Sequence, residues 1–348
     1  MPPLPNKNKS FSSNPAAPAK GRLVGLFGVA GAIILIALCL AVIIYRQPLN
    51  DWWRLRGYQP PPDIGRLADQ DTMTPYARHL FYLNDPQLVS SVASFRKDCP
   101  ENEDAIVLGC YHPGEDGIYI YNVKTQDLQG VAQVTAAHED LHAIYERLSS
   151  KEKQRVDGLL ENYYQHDLTN QRVRDEINLY KKTEPNSVLD EMHSTFGTEV
   201  ANLPPALEDY YKQYFNDRSV IVAFSNRYEG AFTGRQTQIS QDDEQLSAMK
   251  RQIDAQQTDL QTRLQELDAT QNHLKALLAS GQTEEYNAGV PAYNDQVQTY
   301  NTNVASLRAS INNYNQLVKS RNALAQQLTD LDKALDTRMA PKAQSSTN

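Results

Sequence analysis

The last third of the chain admits few folds. Leu246, Met249, Ile253, Gln256, Leu260, Arg263, Leu267, Thr270, Leu274 and Leu277 step by three and four residues in alternation. Such a heptad seam demands a long α-helix with one stripe turned toward a partner. Ser280-Gly281 and Ala288-Gly289-Val290-Pro291 interrupt it. A second run follows through Tyr293, Val297, Tyr300, Val304, Leu307, Ile311, Tyr314, Leu317, Leu324, Leu328, Leu331 and Leu335. The step from Ile311 to Tyr314 to Leu317 is three and three, a local slip in phase. Two runs of similar length around a breaker predict an antiparallel coiled-coil hairpin over 235–337. Its tip is expected at Ser280–Pro291, with each arm reaching about 65 Å. Residues 338–348 are a polar tail.

The opposite end poses a different constraint. Residues 1–22, rich in Pro, Asn, Ser, Ala and Lys, have no apolar periodicity and suit a disordered tail. From Leu23 to Tyr45 the chain is apolar and carries no charge, long enough to cross a bilayer as a helix. It is too long for the apolar core of a signal peptide, and Tyr45-Arg46-Gln47-Pro48 is not a cleavage site. Lys7, Lys9, Lys20 and Arg22 before the span narrowly outweigh Arg46, Arg54 and Arg56 after it, which favours a cytoplasmic N-terminus. Trp52 and Trp53 suit interfacial anchors on the far side. Of the three cysteines, Cys39 lies within the span, and Cys99 and Cys110 follow it. The latter two suggest a disulfide in an oxidising compartment, the alternative being two free thiols in a reducing one. The expected placement is a single-pass cell-membrane protein with its later domains extracytoplasmic. A net charge of −8 excludes nucleic-acid binding by bulk electrostatics.

A stiff, proline-rich linker is expected over 46–64, and a folded domain over 65–230. Residues 75–98 show helical spacing broken at Asn84-Asp85-Pro86. Gly117-Ile118-Tyr119-Ile120-Tyr121-Asn122-Val123 is a strand by composition, with Ala105–Leu108 as its expected hairpin partner. It precedes His138-Glu139-Asp140-Leu141-His142, on a helix expected from about Ala132 to Leu148. On a helix His138 and His142 lie one turn apart on one face and can grip one metal ion. Glu139 beside them can act as general base toward a metal-bound water. Ser149 and Glu152 form a capping box for the next helix, and another helix covers roughly Asn170 to Lys182.

A hydrolytic zinc site needs a third protein ligand and an open fourth position. Two carboxylates on the helix after Pro185-Asn186-Ser187 compete for that role. Glu191 shares a face with the small residues Ser194, Thr195 and Thr198, which would let two helices approach closely. Glu199 lies roughly 80° round the same helix. Asp190 and His193 fall on other faces. Farther on, Tyr210 or Tyr211 could stabilise an oxyanion, although core packing is the stronger reading of both.

His-Glu-x-x-His followed by a Glu on a later helix resembles the gluzincin group of zinc metallopeptidases, over about Tyr111 to Phe215. In that group the ligand Glu is often followed three residues on by a small residue, here Ser194. The resemblance implies Zn2+ held by His138, His142 and Glu191, with Glu139 as catalytic base. It also implies a strand edging the cleft just before the motif helix, on which an extended peptide can pair. The chain lacks the Asn-Glu-x-x-Ser-Asp and Glu-x-x-x-Asp signatures of the best-known members. As a whole it resembles uncharacterised membrane-anchored bacterial peptidases.

The expected fold is thus α+β and mostly helical: a transmembrane helix, a small zincin-like domain with a short sheet, and a coiled-coil hairpin. Two functions compete. One is a membrane-anchored zinc endopeptidase acting on protein or peptide, whose coiled coil recruits substrate, partner or a second copy. The other is an envelope scaffold in which the coiled coil binds a partner and the zincin-like domain is inactive.

Overall fold

The computed structural model describes residues 31–32, 35–40, 47–100, 106–114 and 117–338. The chain divides into a unit over Met1–Gln59 and a unit over Pro60–Asn348. In the first unit residues 31–32, 35–40 and 47–55 are helical. The tail 1–22 and most of the apolar run 23–45 lie outside the described residues, as do 339–348 at the other end. Among the described residues no helix is long and apolar enough to cross a membrane. Trp52 and Trp53 are exposed, and the Arg56 guanidinium stacks over the Trp52 ring, 5.2 Å from its centroid.

The second unit is mostly helical with one small sheet. Helix α1 (Pro62–Gln70) starts inside the segment expected to be a stiff linker. Proline at the first helical position has the right φ and lacks an N–H that would go unpaired there anyway, so Pro62 opens a helix. Thr74 caps α2 (Pro75–Leu83) by accepting from the Ala77 amide. The stretch 75–98 then holds a strand that helical spacing concealed. β1 (Gln87–Val89) separates α2 from α3 (Val92–Asp98), and Ser91 caps α3. β2 (Gly109–His112) and β3 (Gly117–Tyr121) complete the sheet, in the order β1-β3-β2. β1 runs parallel to β3, and β2 runs antiparallel to it with Cys110 opposite Tyr119.

Two expectations change here. The partner of the Gly117 strand is 109–112, with residues 106–108 leading into it. The strand just before the motif helix is also the central one. Both its edges are occupied, so the edge beside the motif helix that has no strand partner among the described residues belongs to β2.

A short 3-10 turn (Gln126–Leu128) leads to Gly130, whose φ of 111° begins α4 (Val131–Arg147). A Cβ at Gly130 would meet the Phe224 carbonyl at 2.9 Å, so neither the backbone nor the space suits another residue. α4 is the hub. It packs on β2 and β3, on α1 and α2, and on two later helices. The predicted capping box is present at the start of α5 (Ser150–His166). Asn170 caps α6 (Gln171–Thr183). α7 (Val188–Glu199) crosses α4, and α8 (Pro205–Tyr211) covers α7. Ser187 precedes α7 but makes no side-chain cap.

α9 (Arg218–Ala279) and α10 (Thr283–Leu335) follow. Polar bridges Arg235–Gln327, Asp243–Arg321, Gln256–Ser306, Asp259–Asn303 and Gln271–Tyr293 join them. One partner advances along α9 as the other retreats along α10 by almost equal steps, which is an antiparallel pair. The ten seam positions read from Leu246 to Leu277 are the half-buried or buried ones on that stretch. The tip is shorter than expected: only Ser280–Gln282 turn, and α10 continues through Pro291. Gly289 receives Leu274, whose Cδ2 would stand 2.7 Å from an added Cβ, so this glycine serves helix contact. Asn287, whose carbonyl loses its partner to Pro291, is exposed and can bond to water. α9 also begins well before 235, so one continuous helix joins the globular part to the hairpin arm.

The α4–α7 crossing yields a stability prediction. A Cβ on Gly197 would stand 2.5 Å from Leu141 Cδ1 and 2.8 Å from Tyr211 Cε1. Gly197→Ala should therefore destabilise by about 1–3 kcal/mol through overpacking. Gly158→Ala, in α5 with nothing within 4 Å, should be neutral or stabilising. Denaturant midpoints of the two variants against the parent check this, and a harmless Gly197→Ala would refute the close crossing.

Candidate metal centre

The motif helix presents His138 and His142 with ring centroids 4.8 Å apart and planes at 73°. α7 brings Glu191 across to them. Glu191 Oε2 lies 3.7 Å from His138 Nε2, and Oε1 lies 3.8 Å from His142 Nε2. These separations exceed a hydrogen bond and are close to the roughly 3.4 Å between two ligand atoms of one tetrahedral zinc. One donor atom from each of the three residues falls within 4.8 Å of the others. Glu191 Oε2 is also buried without a hydrogen-bond partner. A buried, unsatisfied carboxylate oxygen facing two imidazole nitrogens fits a divalent cation.

Asp190 supplies a contact that spacing along α7 did not suggest. His142 Nδ1 donates to Asp190 Oδ1 at 2.9 Å. That bond fixes the tautomer and leaves the Nε2 lone pair facing Glu191. Asp190 sits on the edge of the helix face rather than across from it, and one adjacent pair therefore serves both oxygen roles. Burial pulls the His142 pKa down, but the Asp190 hydrogen bond and the Asp190, Glu191 and Glu139 charges raise it overall to about 9. At His138 burial is likewise outweighed, by the nearby carboxylates of Glu191 and Glu139. The donor set thus favours positive charge, whether carried by protons or by a dication. Metal capture must displace those protons.

Ser194 Oγ stands 3.2 Å from His138 Nε2 and 3.4 Å from His142 Nε2. Glu139 is buried beside the edge strand: a Cβ on Gly109 would lie 2.5 Å from Glu139 Oε1. Only a glycine lets β2 pass this close to the carboxylate. Burial first, then the charges of Glu191, Glu176 and Glu139, hold the hydroxyl of Tyr180, on α6, well above its ordinary pKa. Neither it nor Asp190 was among the site residues predicted from the sequence. Asp140 lies on the far side of α4 and is fully buried, its carboxyl pushed well up by desolvation.

Glu199 has another partner. It pairs with Arg172, which also holds Glu176 at 3.1 Å and Glu229 at 3.7 Å. Tyr210 and Tyr211 are committed to His193. Tyr210 shares a 2.8 Å hydrogen bond with His193 Nε2, and Tyr211 donates to the His193 carbonyl at 2.6 Å. Burial, with repulsion from His142 and His138, pushes the His193 pKa down to about 3 and keeps that ring neutral. Cys99 and Cys110 are joined by a disulfide, and Cys39 is a free thiol.

This arrangement ranks three variants by zinc affinity. Glu191→Ala should lose the most. Asp190→Asn should lose about 10–100-fold, the size expected when a ligating histidine loses its orienting carboxylate. Glu199→Gln should bind zinc as the parent does while lowering stability, because Arg172 loses a partner. Competition against a chromogenic chelator separates these outcomes, and loss of zinc in Glu199→Gln alone would reverse the ligand assignment.

No protein-family model, curated protein or solved structure matches this chain.

Proposed function

We propose that the protein is a zinc-dependent endopeptidase of gluzincin type, anchored in the membrane by residues 23–45. The convergence of the His138, His142 and Glu191 donor atoms beside Glu139 carries this reading. Zinc held by these three residues would supply a Lewis acid for the peptide carbonyl and an acidified water. Glu139 takes a proton from the attacking water and delivers it to the leaving amine. A purely structural zinc site would fill all four positions with protein ligands and would have no use for this base. Tyr180, whose phenol feels the charges of Glu191 and Glu139, would donate to a carbonyl oxygen as negative charge builds on it. It takes the role considered for Tyr210 or Tyr211. The edge of β2 away from β3 has no strand partner among the described residues. An extended peptide adding there would run past Glu139.

The disulfide supports an oxidising compartment and hence an extracytoplasmic domain with the N-terminus in the cytoplasm. The hairpin, as a coiled coil, recruits substrate, a partner or a second copy. One observation favours the scaffold reading instead: Leu264 and Leu278 are exposed off the seam, as a partner-binding arm would have them.

The test is Glu139→Gln. It should retain zinc and lose about 10²–10⁴-fold in turnover of an unstructured protein substrate. Equal inertness of parent and variant would favour the scaffold, and equal activity would remove Glu139 from the mechanism.

A further inference from the structure

A second donor set lies upstream of the motif helix. Cys99 closes α3, while Cys110 and His112 sit two apart on β2 and so project to the same face of the sheet. The two sulfurs and one His112 ring nitrogen all lie within 4.8 Å of one another. His112 Nε2 is 3.4 Å from Cys110 Sγ and donates to the Asp98 carbonyl at 2.6 Å. Strand pairing fixes this geometry, with Cys110 opposite Tyr119 and His112 opposite Gly117. Phe95 packs behind the sulfurs, and the His112 ring stands edge-on to Tyr119.

A disulfide carries no charge and needs no imidazole beside it. The same two sulfurs as thiolates, with a neutral imidazole, are a zinc donor set of the Cys2His kind. We propose that Cys99, Cys110 and His112 form a redox-gated site for a thiophilic divalent cation of the zinc class. It is closed when the cysteines are oxidised and open when they are reduced. A dithiol reductant opens it: the S–S bond breaks, two electrons and two protons pass to the sulfurs, and the reductant becomes a disulfide. Capture of the cation then releases one proton from each thiol to water. His112 enters with its ring proton moved to Nδ1 and gives up its bond to Asp98. Water or the Asp98 carbonyl takes the fourth position. The site shares no residue with His138, His142 and Glu191 and does not rest on the peptidase reading. Its strand is nevertheless the one whose Gly109 lies against Glu139.

Cobalt(II) is the probe, because thiolate ligation gives a charge-transfer band in the near ultraviolet. The full chain in detergent, carrying His138→Ala and His142→Ala to silence the first centre and Cys39→Ser to remove the free thiol, is compared before and after reduction with dithiothreitol. The reductant is desalted away without oxygen. The oxidised chain should show no thiolate band. The reduced chain should take up about one cobalt with that band, and adding His112→Ala should weaken uptake by more than ~10-fold, the lower size of second-shell effects alone. Reduced chain that keeps its helical circular dichroism but shows no band would overturn the proposal, as would unchanged affinity in His112→Ala. Unfolding on reduction that cobalt does not reverse would also overturn it, since the site needs α3 and β2 in place.

Discussion

The approach of α7 to α4 governs everything at the candidate centre. Two helices bearing ordinary side chains pack 8–10 Å apart. Here Gly197 removes a side chain at the crossing, and Leu141 and Tyr211 fill the space. Ser194, Thr195 and Thr198 keep the rest of that face thin and are fully buried. Thr198 returns its hydroxyl to the Ser194 carbonyl, so the face buries this polar group at little cost. With the axes drawn together, a glutamate one turn upstream of Ser194 reaches both imidazoles. The last turn of α7 is fixed from outside. Arg218, almost fully buried, donates to the Val200 carbonyl at 2.6 Å, to the carbonyls of Phe196, Gly197 and Ala201, and to Glu208. One guanidinium thereby meets the unsatisfied end and the negative dipole of the ligand-bearing helix.

Charge is sorted into two groups around that helix. Glu139, Asp190 and Glu191 face the two histidines, which answer them by holding protons more tightly. Glu176, Glu199 and Glu229 face Arg172 instead. Arg172 has one charge for three carboxylates, and Glu176 is accordingly pushed up to about 7, by burial first and then by Glu199. The division leaves only one of the two α7 glutamates open to a cation beside the histidines. Glu199 already has a tightly held cation on α6, whereas Glu191 Oε2 has no hydrogen-bond donor.

These partners also mark how far the sequence could be read. The motif-helix period, the Ser149–Glu152 capping box and the hairpin seam depend on local spacing, and each is where that spacing puts it. The small-residue face of α7 was likewise visible, because side-chain size needs no knowledge of the partner. Asp190, Tyr180 and Arg172 were not visible as site residues. Their roles come from the crossing angles of α6 and α7, which no period encodes. β1 was hidden for a similar reason: three residues between two helices have no alternation to detect, and the strand exists because β3 lies beside it. Gly289 and Pro291 misled in the other direction. Their chemistry suggests a turn, but pairing with α9 over many turns outweighs one lost hydrogen bond in the first part of α10.

The hairpin is bound to the centre at both feet. At the base of α9, Arg218 holds the last turn of α7, and nothing interrupts the helix between that residue and the arm. At the far end of α10, Thr337 Oγ1 donates to the Val107 carbonyl at 2.8 Å and accepts from its amide at 3.2 Å, two residues before β2 begins. Leu331 packs with Leu128 and Val131 at the start of α4. Arg235 spans both arms and the turn before α4, pairing with Asp127 and with Gln327. One foot therefore rests on the element that carries Glu191. The other rests on the elements that carry Glu139 and the free strand edge. A displacement of one arm along the other has no flexible linker in which to dissipate. The Gly197 crossing and the Gly109 contact, where an added Cβ would stand 2.5 Å from Leu141 and from Glu139, are close-packed points along those two routes.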